Sequence, residues 1–226
     1  MRVAFRRAQP EDCALILAFI KGLAEYEKMA DQVVADESTL SAELFEQRRA
    51  EVIFPMVEGK EAGFALFFHN FSTFRGHSGL YLEDLFILPE YRGQGVGKRT
   101  LQELARIAQE RGCPRLEWCC LKWNTPALDF YHHMGAVPLS DWVTLRLTDD
   151  ALHIQAAIAR VAHMEEAFDS LLSGSQDEAL LARLKAYYFG PLWRKDLELD
   201  EKGLLPPTLK RGVLSQDGLW NLFTSN

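Results

Sequence analysis

Apolar positions recur with two different periods along this chain, and the switches between them mark its elements. Residues 3–7 read as a short strand. Pro10-Glu11-Asp12 supplies the proline and acids that favour a helix start. Leu15, Ile16, Phe19, Ile20 and Leu23 follow at helical spacing and carry that helix to about Glu27. Asp36, Glu37 and Ser38 open a second, short helix through Leu44 and Phe45. Residues 51–57 and 62–70 are apolar runs around Glu58-Gly59-Lys60-Glu61, the signature of a hairpin. A loop over 71–79 leads into a strand over 80–88. The next helix carries Leu101, Leu104, Ile107 and Ala108 on one face and stops near Arg111-Gly112. Residues 114–121 predict another strand, and Asn124-Thr-Pro-Ala127 opens a helix that Gly135 ends. Residues 136–139 and 143–147 predict two final strands.

This order predicts an α/β (α+β) domain with a mixed, mostly antiparallel sheet flanked by helices. After Thr148 the pattern is helical only. Residues 151–172 and 177–189 read as amphipathic helices separated by Ser173-Gly174-Ser175. A polar, Pro-containing stretch over 193–207 and a terminal segment ending Leu219-Trp-Asn-Leu-Phe223 complete the chain. The predicted division is residues 1–148 and a small α-helical domain over 149–226, a size that is marginal alone.

Composition narrows the function classes. Of 226 residues, 48% are hydrophobic and 25% charged, the balance of an ordinary globular protein. A net charge of −7 argues against nucleic acid as a partner and suits small cationic substrates. The first residues contain no long apolar core of a signal peptide, and no run reaches ~18 apolar residues, so neither secretion nor a membrane partner is expected. Cys13, Cys113, Cys119 and Cys120 lack C-x-x-C spacing and accompanying histidine ligands, which predicts no metal and no disulfide. Free thiols fit a reducing cytoplasm, and the acidic balance fits a bacterial cytoplasmic protein.

The candidate chemistry lies in residues 81–98, Tyr-Leu-Glu-Asp-Leu-Phe-Ile-Leu-Pro-Glu-Tyr-Arg-Gly-Gln-Gly-Val-Gly-Lys. A strand, a glycine-rich turn and a helix in that order aim backbone N–H groups at an anion. Glu83 and Asp84 stand a few residues upstream in the strand. A P-loop is excluded because Arg99 follows Lys98 where Ser or Thr is required. A dinucleotide fold is excluded because the spacing is Gly-x-Gly-x-Gly, in mid-chain, after antiparallel strands.

Arg92-Gly93-Gln94-Gly95-Val96-Gly97 resembles the acyl-CoA motif of the GNAT N-acetyltransferase superfamily. The resemblance spans residues 1–148 and points within the superfamily to the diamine (spermidine/spermine-type) and thialysine N-acetyltransferase group. It is carried by Leu23-Ala-Glu-Tyr-Glu27, Tyr81-Leu-Glu-Asp84, Pro89 to Gly97, Trp123-Asn124, Phe130-Tyr131 and Gly135-Ala136. It implies a transferase that uses acetyl-CoA and acts on a small-molecule amine, commonly as a homodimer. It also implies that Leu85, Phe86 and Ile87 line the pantetheine arm, and that Arg92, Gly93, Gln94, Gly95, Val96, Gly97 and Lys98 hold the pyrophosphate. Asn124, Ala127 and Tyr131 contact the cofactor from the next helix. By the same resemblance Tyr131 is the general acid, Glu83 the base, and Tyr26, Glu27, Glu83 and Asp84 form the amine pocket. Chemistry requires such a base, because an amine with a pKa near ~10 must lose a proton before attacking a thioester. Neighbours on an unbroken strand face opposite ways, so Glu83 and Asp84 share a site only if a bulge intervenes, as the resemblance implies.

Ser72-Thr73-Phe74 stands where polyamine-acetylating members resemble one another in an acid followed by Pro-Trp. The missing acid favours a short amine or an amino-acid side chain over a long polycation. Residues around Tyr187-Tyr188, Trp193-Arg194, Asp196, Asp200-Glu201 and 203–218 resemble a small bacterial helical domain of unknown function. Its charged and aromatic residues serve either as a binding face or for packing within the chain. The alternative function is an acyl-CoA-binding module coupled to a partner protein through that domain.

Overall fold

A mixed six-stranded sheet organises the amino-terminal part of the protein, seen in a computed structural model that describes residues 2–225. Met1 and Asn226, the outer ends of the two expected domains, lie outside the described residues. The strands are β1 (Val3–Arg7), β2 (Glu51–Val57), β3 (Lys60–Glu61), β4 (Gly63–Ser72), β5 (His77–Ile87) and β6 (Leu116–Trp118). Their order is β1-β2-β4-β5-β6, with β3 paired to β2. Every pairing is antiparallel except β5 with β6.

Side-chain alternation divides this sheet between two cores. On one face lie α1 (Cys13–Glu27) and α2 (Glu37–Ser41), the latter continued by a π-helical turn over Ala42–Glu46. Ile16 and Phe19 of α1 pack there against Phe54, Phe64 and Phe86, with the Phe19 and Phe64 rings stacked at 5.8 Å. On the other face Leu101, Leu104 and Ile107 of α3 (Val96–Glu110) pack against Phe67, Leu80 and Leu82. Phe130 and Tyr131 of α4 (Thr125–His133) join the edge of that second core.

The structure departs from the sequence pattern in several places. The expected loop over 71–79 is mostly strand, because Asn70, Phe71 and Ser72 pair with Gly79, Ser78 and His77. Backbone pairing there overrides polar composition. The strand expected over 114–121 shrinks to Leu116–Trp118, and the chain then turns, with Asn124 N–H donating to Leu121 O at 2.9 Å. The two final strands over 136–139 and 143–147 do not form among the described residues. No ladder holds this segment, and its larger apolar side chains, Val137, Leu139, Val143, Leu145 and Leu147, are exposed.

The chain divides after Pro138 into two compact units. The second contains α5 (Asp149–Leu172), α6 (Glu178–Tyr188), α7 (Pro191–Glu201) and α8 (Gln216–Ser225). The polar stretch that begins at Trp193 is largely helical: Pro191 opens α7 where its missing N–H costs no helical bond. The helices enclose a core with Val161, Leu184, Val213 and Leu219 fully or almost fully buried. Of the charged and aromatic residues of the carboxy-terminal motif, Tyr187 and Asp196 are buried, Tyr188, Trp193, Asp200 and Arg211 are half-buried, and Arg194, Glu201 and Lys210 are exposed. Asp196 is completely buried and accepts from Arg160 Nε and the Tyr187 hydroxyl, both at 2.8 Å. Trp193 Nε1 donates to Val213 O at 3.0 Å. A buried carboxylate is tolerated only with partners of this kind.

Phe64 is the fully buried centre of the α1 face. Phe64→Ala is expected to destabilise the protein by about 3–5 kcal/mol, read as a lowered midpoint in urea unfolding.

Candidate active site

The site begins where two parallel strands part. β5 and β6 pair only from Leu80↔Leu116 to Leu82↔Trp118. β5 runs on to Ile87, while the chain beyond Trp118 turns toward Asn124. Residues 84–87 therefore have a β4 partner on one side and no strand on the other among the described residues. The opening is a cavity of about 560 Å³.

A bulge at the top of the opening aims the acids. Leu66 pairs with Asp84 and Phe67 with Leu82, so Glu83 is the extra residue in β5. The parity of β5 changes across it: Leu82 and Leu85 both reach the α3 core, three residues apart. Glu83 and Asp84 consequently both line the cavity, joined by Glu27 from the last turn of α1. This arrangement is electrostatically costly. Burial, followed by repulsion from Glu83 and Glu27, pushes the Asp84 carboxyl up to about 6. Burial also raises Glu27.

The opposite end of the opening is built for an anion. Pro89–Tyr91 forms one 3-10 turn, and Gly93 and Gly95 follow with φ of 70° and 81°. A residue with a side chain adopts this left-handed backbone only with strain. Gly95 is the N-cap of α3 and offers no capping side chain. The first N–H groups of α3 are thus left for an external acceptor. A Cβ on Gly97 would meet only ordinary contacts, 3.8 Å from Ile87 and 3.9 Å from Phe130, so packing does not demand glycine there. Gly97 lines the cavity, and a side chain on it would take up cavity space. Arg92 crosses the same region. Its Nε donates to Ile87 O at 2.7 Å, and its guanidinium lies over the Tyr26 ring at 4.8 Å.

The far wall comes from the end of β6 and from α4. Asn124 is buried and caps α4, its Oδ1 accepting from Ala127 N–H at 3.4 Å. The same oxygen accepts from the Tyr26 hydroxyl at 3.0 Å. Tyr131 lies about two turns beyond Asn124 along α4, its ring 4.9 Å from that of Trp118. Burial, then the neighbouring Cys120 and Glu27, raises its phenol well above the usual value and keeps it protonated.

The structure brings all but one of the expected site residues to this cavity. Tyr26, Glu27, Glu83, Asp84, Leu85, Phe86, Ile87, Arg92, Gly93, Gly95, Val96, Gly97, Lys98, Asn124, Ala127 and Tyr131 line it. Gln94 does not; its Nε2 donates to Glu90 O at 2.6 Å and folds the side chain back onto its own turn. Ser72-Thr73-Phe74 also lies outside the lining, at the β4–β5 turn. Cys119 and Cys120, expected to pack within a strand, instead follow the end of β6 and line the cavity, and Cys119 accepts from the Tyr81 hydroxyl at 3.2 Å. Only the early end of β6 would have revealed them, and the Pro114–Leu121 pattern hid it.

A free strand edge, an uncapped helix N-terminus and a side-chain-free turn together fit an extended molecule ending in phosphates. Comparison with known proteins agrees. The Acetyltransferase (GNAT) family matches residues 22–136, and a domain of unknown function, DUF4298, matches residues 153–226. The thialysine N-epsilon-acetyltransferase of Bos taurus is 36% identical over 162 residues, covering 66% of this chain and 95% of that protein. An L-ornithine N5-acetyltransferase of Arabidopsis thaliana is 31% identical over 193 residues, covering 65% and 85%. Among solved structures, an integron cassette protein from the V. cholerae mobile metagenome superposes with a TM-score of 0.58 at 27% identity, covering 69% of this chain and 98% of that one. A metagenomic aminoglycoside acetyltransferase shares the fold with a TM-score of 0.56 at 19% identity, over 65% and 96%.

The raised Asp84 carboxyl makes a signed prediction about stability. Its folded value near 6 exceeds the unfolded reference of 3.8, so the fold holds this proton more tightly than the unfolded chain does. Ionising it costs stability progressively from about pH 4 to pH 6, and fully above that. Asp84→Asn should therefore raise the melting temperature at pH 8. The gain, bounded near ~3 kcal/mol, should fade as pH falls from 6 to 4 in a pH series of thermal melts.

Proposed function

The chain belongs to the GNAT acetyltransferase family, and on that premise we propose that it moves an acetyl group from acetyl-CoA to a primary amine of a small molecule. The observation that carries this reading is the single cavity joining three carboxylates at one end to an uncapped helix N-terminus at the other, with Tyr131 on its wall. Acetyl-CoA, when bound, supplies the activated thioester.

The remaining roles belong to side chains and backbone of this chain. The free backbone edge of Leu85, Phe86 and Ile87 is the proposed rest for the pantetheine arm. Gly93, Gly95, Val96, Gly97 and Lys98, with Arg92, are the proposed pyrophosphate cradle, and Gln94 serves through its backbone only. Asn124 and Ala127 close the far wall. At the acidic end, Glu27 and Asp84 hold the ammonium form of the acceptor, whose positive charge favours ionisation of Asp84. Glu83, at the bulge and open to solvent, receives the amine proton directly or through water. Tyr131 keeps its proton until negative charge develops on the departing sulfur, then donates it from Oη. Direct attack by the amine needs no covalent enzyme intermediate.

The acceptor proposed is a short amine or an amino-acid side chain of the thialysine or ornithine type. The named activities of the two relatives support that class. The proposed division of labour keeps this chemistry within residues 1–148 and leaves 149–226 outside it. A thiol-release assay with acetyl-CoA over thialysine, ornithine, lysine and short diamines tests the reading. Turnover with one of them is expected; tight CoA binding without turnover on any would favour a binding module instead.

Tyr131→Phe should lower kcat by about 10²-fold or more with little change in acetyl-CoA affinity, measured by steady-state kinetics beside calorimetric titration. Unchanged turnover would remove Tyr131 as the acid.

A further inference from the structure

The free cysteines fall into two classes. Cys13 and Cys113 are buried in the two cores of the sheet. Cys119 and Cys120 line the cavity instead, the first exposed and the second half-buried. The proposed acetyl transfer uses neither of them. Their sulfurs are held differently. Cys119 Sγ accepts from the Tyr81 hydroxyl at 3.2 Å. The Cys120 thiol is tied only loosely, donating to Leu121 O over 3.7 Å. Cys120 neighbours both Glu27 and Tyr131. Burial and then the charge of Glu27 keep its thiol protonated, and Cys120 in turn is one of the groups that raise the Tyr131 phenol. Its sulfur thus belongs to the stretch of wall shared by the acids and by the phenol assigned to the departing CoA sulfur.

We propose that Cys120 is a site of covalent modification by disulfides of CoA, which leave CoA joined to it through an S–S bond and so occupy the cavity. The inference rests on the acetyl-CoA reading, because that reading puts the CoA sulfur beside Tyr131 and hence beside Cys120. With a mixed disulfide of CoA and a small thiol, the Cys120 sulfur attacks the CoA sulfur. One S–S bond forms as the other breaks. The small thiol leaves with the electron pair of the broken bond and takes the proton that Cys120 gives up, so no other oxidant is consumed. The phosphates of the ligand select this thiol. A protonated, half-buried thiol reacts slowly with disulfides at large. The glycine turn and the uncapped N-terminus of α3 hold a CoA disulfide in place, which substitutes an effective concentration within the cavity for concentration in solution. Cys119 does not resolve the product. Consecutive Cα atoms lie about 3.8 Å apart, short of the roughly 4.4 Å at which ordinary disulfides begin. The adduct therefore persists until an external thiol reduces it, and meanwhile the donor site holds a group that carries no acetyl.

The mixed disulfide of CoA and cysteamine is the probe, and cystamine, which releases the same thiol, is the control. Intact mass and peptide mapping of the full-length protein should find CoA on Cys120, formed at least about tenfold faster than cystamine labels that residue. Equal rates, or CoA carried by Cys119 instead, overturn the proposal. Desulfo-CoA has the phosphates and no thiol, and it should suppress the labelling; undiminished labelling places the reaction outside the cradle and overturns it. In calorimetric titration the adduct should no longer bind CoA until dithiothreitol removes the label. An adduct that binds CoA like the unmodified protein counts against the proposal in the same way. Cys120→Ala should bind CoA and take up no label, and mapping of the unaltered chain decides the matter if that variant fails to fold. The titration also separates the two readings. CoA that binds without giving the adduct sinks the covalent site alone, whereas CoA that does not bind sinks the acetyl-CoA reading and this proposal with it.

Discussion

Everything the cavity offers depends on one parallel ladder being only three residue pairs long. β5 and β6 share Leu80 to Leu82 with Leu116 to Trp118 and then part. A backbone edge stripped of its partner normally has to be hydrated or paired. Here the parting exposes N–H and C=O groups of β5 in the wall of a cavity rather than at the outside of the sheet. The bulge at Glu83 begins one residue beyond the last shared pair, so the place where the strands separate is also the place where the acids turn inward. Separation and reorientation are thus one local event. The cores above and below, centred on Phe64 and Leu104, hold it fixed.

The acids illustrate how a functional arrangement opposes the fold that contains it. Asp84 and Glu27 are held where burial disfavours their charge, and Glu83 adds repulsion to Asp84. Elsewhere in the chain carboxylates are treated differently. Asp12 sits on Arg6, Glu51 on Arg111 and Asp196 on Arg160, each with a guanidinium partner. Among the described residues Glu27, Glu83 and Asp84 have no such partner, which suits a site that receives a cation from solution.

Much of this was readable in the sequence. The glycine turn, the helix behind it and the cap at Asn124 follow from local chemistry, and the structure has each of them. Glu83 and Asp84 are visible as a pair, but their common direction follows only from the resemblance, because a bulge leaves no reliable mark in a single chain and is fixed by the register with β4. The early end of β6 is illegible for a similar reason: Cys119, Cys120 and Leu121 have a strand's composition, and the ladder with β5 ends at Trp118. Residues 136–147 show the converse. Their pattern is that of strands, and pattern alone does not supply an edge to pair with. In the helical unit the buried Asp196 could not be told from a surface acid, since its partners Arg160 and Tyr187 lie 36 and 9 residues away.

Asn124 Oδ1 holds two donors, the Ala127 amide that begins α4 and the Tyr26 hydroxyl at the end of α1. The Tyr26 ring in turn carries the Arg92 guanidinium on its face. One aromatic side chain therefore belongs at once to the acidic end, to the glycine turn and to the helix that bears Tyr131. On the proposed function, any coupling between acceptor and donor carried by Tyr26 is reciprocal: each ligand changes the other's affinity by the same factor. On that reading, acceptor and donor would meet the same Tyr26 side chain from opposite ends of the cavity. A substitution made at Tyr26 for the sake of the acidic end therefore also removes the contacts it makes with Asn124 and Arg92.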